Sequence, residues 1–449
     1  MPLFPVPIDL PPDVVELRSG DVDGDGIADL VAVERKRGSP GPDSMAVSVL
    51  TFEDGGKVAD QWRVDLGTRP LLLDIESGLW ALAADGIYSV NRAGLHRVVD
   101  VVTPLQGLGD TTPVFADVFV DLEADGIAEA VVSRGGVVRV VGVDGRERAR
   151  VRGKHRGELE VRGRGGVRIV SAAVSPDWRI DDIDGDGIGD LLLPSGDRLT
   201  AVPITADGSG PPYSVSLPLN INPRRPEGSR KQNETRKDVV SVWLRDMDGD
   251  GRTDFAAQLW VTEGSWMGAE GELVYARGTG SGFGPLQRMP SDNAVLLVRV
   301  LDLDADGDVE IATAEIDFGV GNLTRAMLTQ KIRVDVHFRE MDAARYRPVA
   351  ELHSVVVPVG NDRDPPVKME HDVTGDGIAD LVTSQDSTRV EVFEGTGSGY
   401  SDEPVAAVDV GFEQGEHKLW VGNVAGDDRA EIVIWKLRTR SATVLLNRP

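Results

Sequence analysis

An acidic segment of nine residues recurs along the chain and limits the folds that the chain can adopt. Its intact copies are DVDGDGIAD from Asp21, DLEADGIAE from Asp121, DIDGDGIGD from Asp182, DMDGDGRTD from Asp246, DLDADGDVE from Asp302 and DVTGDGIAD from Asp372. A degenerate seventh copy, NVAGDDRAE, begins at Asn423. Such self-similarity predicts a repeat architecture in which each repeat is one supersecondary unit.

A further unit is predicted inside the long interval between the first two copies. Residues 71–90, LLLDIESGLWALAADGIYSV, contain the same two apolar runs around Asp74, but the acidic loop between them is shortened. This segment raises the number of predicted units to eight.

Each acidic segment stands between two predicted strands. VVEL precedes the first copy and LVAVE follows it, and VVSVWL and FAAQL flank the copy at Asp246. These runs are rich in β-branched and aromatic residues. Most units contain two more strands joined by a glycine turn, such as GTGSGF from Gly278 and GTGSGY from Gly395. Each unit is therefore a predicted four-stranded antiparallel sheet, and repetition of such sheets is typical of a β-propeller.

The two ends of the chain indicate how the ring closes. The last unit has only three predicted strands, and residues 1–10 contain one isolated strand that can complete it. We predict an all-β fold with one β-propeller domain over residues 1–449, built from eight four-stranded antiparallel blades. Residues 1–10 form the outer strand of the last blade. Seven blades with a large insertion in residues 30–115 is the alternative.

The acidic loops have the composition of a metal site. Carboxylates at positions 1, 3, 5 and 9, with the carbonyl of position 7, can surround a hard cation with oxygen ligands. Position 6 is a glycine that permits positive φ: Gly26, Gly126, Gly187, Gly251, Gly307 and Gly377. An EF-hand would need glutamate at position 12, where this chain has Ala32, Val132, Leu193, Ala257, Thr313 and Thr383. Calcium fits better than magnesium, which demands a near-ideal octahedron.

The repeated loops between strands resemble the FG-GAP or VCBS-type calcium-binding repeats of integrin α-subunits and many bacterial surface proteins. The resemblance covers nearly the whole chain and implies about six calcium ions as the cofactor. The implied ligands, with position 7 contributing its carbonyl, are Asp21, Asp23, Asp25, Ile27 and Asp29; Asp121, Glu123, Asp125, Ile127 and Glu129; Asp182, Asp184, Asp186, Ile188 and Asp190; Asp246, Asp248, Asp250, Arg252 and Asp254; Asp302, Asp304, Asp306, Asp308 and Glu310; and Asp372, Thr374, Asp376, Ile378 and Asp380.

The copy at Asn423 departs from this pattern. It has Ala425 at position 3 and Asp428 where glycine is expected, which leaves Asp427 and Glu431 as strong ligands. Because the ligand count is low, we expect a polar turn there and no calcium.

Strand direction separates two faces of the propeller. In an antiparallel blade the connections 1→2 and 3→4 lie at one end, and 2→3 and 4→1 lie at the other. The acidic loops and glycine turns share the first end, which we call the acidic-loop face. Most of the extra length lies on the opposite face, in residues 35–44, 221–238, 261–271, 317–330 and 359–366. Loops on a rigid scaffold are common binding sites, so the opposite face is the predicted ligand face.

Two basic stretches and one helix are predicted outside the repeats. Residues 221–238 carry a local charge of +3 and residues 146–168 a local charge of +6. They could bind an acidic polysaccharide or protein, although solvated charged loops are the alternative. Residues 322–330 predict a short helix whose Leu323, Met327 and Leu328 pack against the propeller.

Composition excludes several functions. The formal net charge of −26 argues against nucleic-acid and anionic-membrane partners. The chain has no cysteine, so disulfides and thiolate metal sites are excluded. No stretch of 18 apolar residues predicts a membrane-spanning segment. The sequence has no GxSxG, HExxH or P-loop motif, and we predict neither catalytic residues nor an organic cofactor.

These observations predict a calcium-stabilised, non-enzymatic scaffold for binding, adhesion or assembly, with a protein or polysaccharide ligand of the cell envelope. The alternative is a carbohydrate-binding lectin or a polysaccharide lyase-like enzyme, because rhamnogalacturonan lyases and some fungal lectins have similar calcium-bearing propellers. Cytosolic calcium would leave sites of micromolar to millimolar affinity largely empty. We therefore expect a periplasmic or cell-surface protein whose export signal is absent from this chain.

Overall fold

The structure is a computed structural model of the 449-residue chain. It describes residues 2–11, 13–36, 44–53, 55–67, 71–75, 78–103, 105, 114–116, 118–122, 127–134, 136–152, 156–163, 167–174, 178–205, 208–221, 235–263, 269–279, 282–291, 293–302, 307–317, 319–329, 331–342, 345–358, 367–386, 389–396, 399–410, 417–427, 429–436 and 441–447.

Eight antiparallel blades form the propeller, as predicted. The first four blades are β2 (Val14–Gly20), β3 (Asp29–Lys36), β4 (Ser44–Glu53) and β5 (Lys57–Gly67); β6 (Leu72–Ile75), β7 (Leu79–Leu82), β8 (Gly86–Asn91) and β9 (Gly94–Asp100); β11 (Phe119–Val120), β12 (Glu129–Arg134), β13 (Val137–Gly142) and β14 (Glu147–Arg152); and β17 (Arg179–Asp181), β18 (Asp190–Ser195), β19 (Arg198–Val202) and β22 (Tyr213–Ser216). A short strand, β10 (Val114–Phe115), adds to β6 in parallel.

The remaining blades follow the same order along the chain. They are β23 (Thr235–Arg245), β24 (Asp254–Glu263), β25 (Ala269–Ala276) and β28 (Gln287–Ser291); β29 (Ala294–Leu301), β30 (Glu310–Ile316), β31 (Lys331–Asp342) and β32 (Arg345–Pro358); β33 (Val367–His371), β34 (Asp380–Asp386), β35 (Arg389–Phe393) and β36 (Ala406–Asp409); and β37 (His417–Gly422), β38 (Glu431–Lys436), β39 (Ser441–Asn447) and β1 (Leu3–Asp9). The alternative of seven blades is wrong, because residues 72–100 form a complete blade.

The N-terminal strand closes the ring, as the sequence predicts. β1 pairs antiparallel with β39 from Leu3 opposite Asn447 to Asp9 opposite Ser441. The last blade therefore contains strands from both ends of the chain, and its fourth strand is the first of the sequence.

Apolar side chains fill the spaces between blades. The described residues form eight buried clusters, each shared by two neighbouring blades, including the pair made of the last blade and the first. A central strand such as β3 has neighbours on both faces, so Leu30, Val31, Ala32 and Val33 are all at most 1% exposed. This two-sided burial explains the continuous apolar runs on either side of the acidic loops.

Several elements lie outside the blades. The hairpin of β15 (Arg156–Gly163) and β16 (Val167–Val174) follows the third blade and is not predicted by the sequence. Two small ribbons, β20 (Ile204–Thr205) with β21 (Gly208–Ser209) and β26 (Gly278–Thr279) with β27 (Gly282–Phe283), occupy glycine turns between third and fourth strands. No helix in the described part of the chain has the length and hydropathy needed to cross a membrane.

The predicted helix is present as α1 (Val320–Thr329), but its packing prediction is wrong for two residues. Met327 is 86% exposed and Leu328 is 79% exposed. A polar contact holds the helix instead, because Asn322 accepts a hydrogen bond from the Arg333 N–H and donates to the Arg333 carbonyl. The side chain of Leu323 lies outside the described part.

Parts of the predicted insertions also lie outside the described residues. These parts are 37–43, 222–234, 264–268, 318, 330 and 359–366.

Candidate metal centres

The acidic loops all connect the first and second strands of their blades, so they lie at one end of the propeller. Three of them bring carboxylate oxygens within 4.8 Å of one another. The clusters are Asp21, Asp23 and Asp29; Asp182, Asp184 and Asp190; and Asp246, Asp248 and Asp250. Each cluster could hold a metal ion.

The loop of residues 21–29 folds around its first aspartate. The Gly24 N–H donates to Asp21 Oδ1 at 2.7 Å, and the Gly26 N–H donates to Asp21 Oδ2 at 2.9 Å. Asp25 Oδ1 accepts the Ile27 N–H at 2.8 Å. These bonds hold the backbone in a tight turn while the carboxylates of Asp21 and Asp23 stay beside Asp29.

The loop of residues 182–190 repeats this geometry. Asp182 Oδ1 accepts the Gly185 N–H at 2.7 Å, and Asp182 Oδ2 accepts the Gly187 N–H at 2.7 Å. Both glycines have positive φ, at 80° and 86°. The predicted positive φ at position 6 is confirmed in the five described copies, and Gly126 lies outside them. The sequence analysis missed the same requirement at position 4, where Gly185 stands.

The position-9 carboxylates are buried and tie the loop to the third strand of the blade. Asp29 is 1% exposed and accepts the N–H groups of Val22 at 3.1 Å and Phe52 at 3.3 Å. Asp190 accepts those of Ile183 and Ile204. Burial raises the pKa of Asp29 to about 7 and that of Asp190 to about 6. A bound cation would stabilise the ionised form of each of these carboxylates.

The loop of residues 246–254 differs from the first two. Its cluster contains positions 1, 3 and 5, while Asp254 at position 9 accepts three hydrogen bonds, from Met247 N–H, Tyr275 Oη–H and Gly278 N–H. Arg277 reaches the cluster, with Nε 2.5 Å from Asp248 Oδ2 and Nη2 2.9 Å from Asp250 Oδ2.

The loop of residues 372–380 places a hydroxyl where the other loops have a carboxylate. Thr374 Oγ1 lies 3.3 Å from Asp372 Oδ1 and 3.5 Å from Asp380 Oδ1. Asp376 accepts the N–H of Ile378 at 2.9 Å. This loop therefore gathers Asp372, Thr374 and Asp380, with one charge fewer than the loop of residues 21–29.

Two predicted sites are described only in part. In the second copy Asp121, Ile127 and Glu129 are described, and Glu129 accepts the Leu122 N–H at 3.1 Å. In the fifth copy Asp302, Asp308 and Glu310 are described, and Asp302 accepts the Gly307 N–H at 3.1 Å. Glu123, Asp125, Asp304 and Asp306 lie outside the described residues.

The degenerate loop at Asn423 keeps the frame of the others with fewer charges. Asn423 Oδ1 accepts the Gly426 N–H at 2.8 Å, as the first aspartate does elsewhere. Glu431 is fully buried, and its Oε2 accepts the N–H groups of Val424 and Ala425. Glu431 is the single carboxylate at the base of this turn, and its Oε1 is buried without a hydrogen bond.

Orphaned polar atoms show that the acidic clusters suit a cation. Asp246 Oδ1 and both carboxylate oxygens of Asp248 are buried without a hydrogen bond, and the charge nearest to Asp248 Oδ2 is that of Arg277, whose Nε lies 2.5 Å away. Burial is the largest cause of the raised pKa of Asp23, and repulsion from the Asp25 and Asp21 carboxylates raises this pKa further. A hard divalent ion with oxygen ligands would satisfy both the orphaned oxygens and the crowded charges.

Neighbouring loops are joined to one another around the ring. The N–H of position 8 donates to the preceding loop in four pairs: Ala28 to Asn423 O, Gly189 to Leu122 O, Val309 to Met247 O and Ala430 to Asp372 O. In a fifth pair the Thr253 hydroxyl donates to Asp182 O at 2.9 Å. The sequence analysis missed these links, because spacing within one repeat does not show contacts between repeats.

The opposite face has an open groove of about 820 Å³ beside the first blade. Its lining is Asp9, Leu10, Pro11, Asp13, Glu34, Lys36, Ser48, Gln61, Trp62 and Arg63. Glu34 lies at its base, 7% exposed, and accepts hydrogen bonds from Ser48 Oγ and Arg63 Nε. The groove therefore lies on the predicted ligand face, between the end of the closing strand β1 and the first blade.

Two arginines in the described part of the basic stretch 146–168 pair with acids of their own blade. Arg148 is 8% exposed and lies 3.3 Å from Glu129 Oε1, and Arg150 pairs with Glu147 at 2.8 Å. These two arginines therefore balance acids of the third blade. The side chains of residues 153–168 and the loop 222–234 lie outside the described part.

Comparison with known proteins finds distant structural similarity. No protein-family model matches the chain, and no curated protein matches it. The V. cholerae biofilm matrix protein Bap1 has a TM-score of 0.32 at 9% identity, over 98% of this chain and 92% of that chain. The exotype rhamnogalacturonan lyase YesX has a TM-score of 0.28 at 13% identity, over 82% and 71%. Function must therefore be inferred from the sites themselves.

Proposed function

We infer that the chain is a calcium-stabilised β-propeller of the FG-GAP or VCBS type, which acts outside the cytoplasm as a non-enzymatic binding scaffold. The observation that carries this proposal is the repetition of a carboxylate cluster at the same place in three blades. Two of these clusters, in residues 21–29 and 182–190, have the same hydrogen-bonded frame around position 1. Repetition of one geometry supports one ligand, a hard cation.

The proposed ligands are the oxygens of positions 1, 3, 5, 7 and 9 in the six intact loops. When bound, calcium would supply positive charge between carboxylates that otherwise repel one another. The chain's own contribution is the turn itself, which the two glycines of positive φ and the position-1 carboxylate hold in place. The role of the ions would be structural, since the loops that would hold them connect the first and second strands of a blade.

Calcium titration tests this role. We expect about six ions per chain at saturation by calorimetry, and Asp184→Asn should remove or weaken one of them. EGTA should lower the melting temperature, because an ion that binds only the folded state stabilises it by mass action. Asp402→Asn, on an exposed turn of the seventh blade, is the matched control. Two or fewer ions, with a melting temperature indifferent to EGTA, would contradict the proposal.

The proposed ligand, an envelope protein or polysaccharide, would bind the opposite face. The groove around Glu34 and Arg63 supports this assignment, because it offers both charges and a buried hydrogen-bonding base on that face. Glycan-array and envelope pull-down experiments should detect a ligand for the wild type and lose it in Lys36→Glu. A depolymerisation assay on the same polysaccharides separates the two classes: product formation would favour the lyase-like alternative.

A further inference from the structure

The loop of residues 246–254 has a positively charged side chain inside its acidic cluster. Arg277 follows β25, the third strand of the same blade, and its guanidinium contacts Asp248 and Asp250. The Asp248 side chain is 4% exposed, so this pairing is shielded on the carboxylate side. The guanidinium contacts one oxygen of each of these two carboxylates, Asp248 Oδ2 and Asp250 Oδ2.

Among the four loops whose position-9 carboxylate has a described donor at the end of the third strand, this arrangement occurs in one. In four loops the position-9 carboxylate accepts an N–H at the end of the third strand, from Phe52, Ile204, Gly278 or Gly395. The residue before that N–H is Thr51, Pro203, Arg277 or Glu394, respectively. Arginine therefore occupies this place in one of the four described cases.

A second side chain of the same blade acts on the same loop. Tyr275 donates its hydroxyl to Asp254 Oδ2 at 3.0 Å, and its counterparts in the other three blades are Val49, Ala201 and Val392. In the loop with this extra donor, the position-9 residue Asp254 is not part of the carboxylate cluster. In the loops of residues 21–29 and 182–190, the position-9 residue is part of the cluster. The carboxylate of position 9 in this loop thus accepts hydrogen bonds from protein donors, and the carboxylates of positions 3 and 5 form ion pairs with Arg277.

We propose that Arg277 is a built-in counter-ion of the 246–254 loop, so that this loop is held without metal and binds a divalent cation more weakly than its counterparts. The inference rests on the proposed calcium role of the other loops. A metal ion entering here must displace the guanidinium from Asp248 and Asp250, and it also meets the repulsion of a positive charge nearby. Blade five then keeps its fold when calcium is scarce.

Calcium titration of Arg277→Gln tests the proposal. We expect one site per chain to bind calcium about tenfold more tightly than in the wild type, which corresponds to one ion pair of moderate strength. In EGTA the variant should melt at a lower temperature than the wild type, since its three neighbouring carboxylates lose their counter-ion. Calcium should restore that loss. Arg277→Lys, which keeps the charge and loses the forked geometry, should lie between the two.

Arg198→Gln is the control, because it removes an exposed arginine at the other end of a blade with the same change in charge. If Arg277→Gln binds calcium as the wild type does, the proposal is wrong. If no loop of the wild type binds calcium, the calcium role fails, and the counter-ion role is then decided in EGTA alone. There, equal melting temperatures for Arg277→Gln and Arg198→Gln would overturn it.

Discussion

At the scale of single residues, position 9 of each loop has a structural role besides its proposed ligand role. Asp190 and Glu431 are fully buried, and each accepts two backbone N–H groups. The acidic character of this position could be predicted from the repeated motif. Its burial could not, because the Ile204 N–H that meets Asp190 is fixed by the tertiary register of the blade.

Glu431 makes the residue-scale role testable by pH. Burial raises its pKa to about 7, above that of the unfolded chain. The folded protein therefore holds this proton more tightly, and the stabilising contribution is complete below about pH 4.5 and is lost as the pH rises through 7. We expect Glu431→Gln to gain, relative to the wild type, on the order of 2 kcal/mol of unfolding free energy between pH 5 and pH 8.

Urea denaturation of the protein, depleted of calcium beforehand, at both pH values measures this difference. Glu403→Gln, at an exposed position, is the control and should show little change with pH. Identical pH dependence in the two variants would show that Glu431 does not titrate as its burial implies.

The contacts of Arg277 with Asp248 and Asp250 could not be predicted from the acidic motif. Its distance along the chain from Asp248 is set by the length of β24, β25 and the connection between them, which varies from blade to blade. Spacing within the acidic motif carries no information about it. Only the folded blade brings the two side chains together.

At the scale of elements, the loops form a connected band and not a set of independent sites. Position 8 of one loop donates to the preceding loop in each of the five pairs given above. A Cβ at Gly185 would lie 3.0 Å from the Gly251 carbonyl, so adjacent loops also touch. Strand pairs and turns could be predicted from apolar runs and glycines, whereas this band depends on contacts between blades.

Thr253→Val tests the link between neighbouring loops. The substitution keeps the side-chain shape, removes the donor to the Asp182 carbonyl and places no new charge in either loop. Thr253 is 3% exposed, so the loss should cost about 1 kcal/mol of unfolding free energy. It should also weaken calcium binding at the 182–190 loop, because that loop loses a support.

Thr205→Val is the matched control, since its hydroxyl donates to the Gly208 carbonyl in an exposed ribbon. Chemical denaturation should place the control within about 0.5 kcal/mol of the wild type. A Thr253→Val variant as stable as this control would mean that the loops are energetically independent.

At the scale of the whole molecule, the eight-bladed ring could be predicted because every blade repeats one pattern. The shortened unit around Asp74 shows that the pattern can be recognised even where the acidic loop is missing. It lacks the acidic loop, yet Asp74 still accepts the N–H groups of Val118 and Phe119, as a position-9 acid accepts backbone donors elsewhere. The β15–β16 hairpin could not be predicted in the same way, because it belongs to no repeat. Its apolar and β-branched residues do not distinguish its strands from those of a blade.

The closing strand carries the last prediction. β1 contributes Ile8, 4% exposed, to the cluster shared by the last and first blades, and Leu3 to the cluster shared by the seventh and last. Deleting residues 1–9 removes both side chains and leaves the edge of β39 without its partner. The loss in unfolding free energy should exceed that of Ile8→Ala, for which we expect about 3 kcal/mol.

Addition of a synthetic peptide of residues 2–11 separates strand loss from general damage. The peptide can pair with the exposed edge of β39 and restore both clusters by strand addition. It should raise the melting temperature of the truncated protein and leave that of the full chain unchanged, whereas a scrambled peptide should affect neither. Because the ring has no other partner for that edge among the described strands, unchanged melting after the deletion would refute closure by the N-terminal strand.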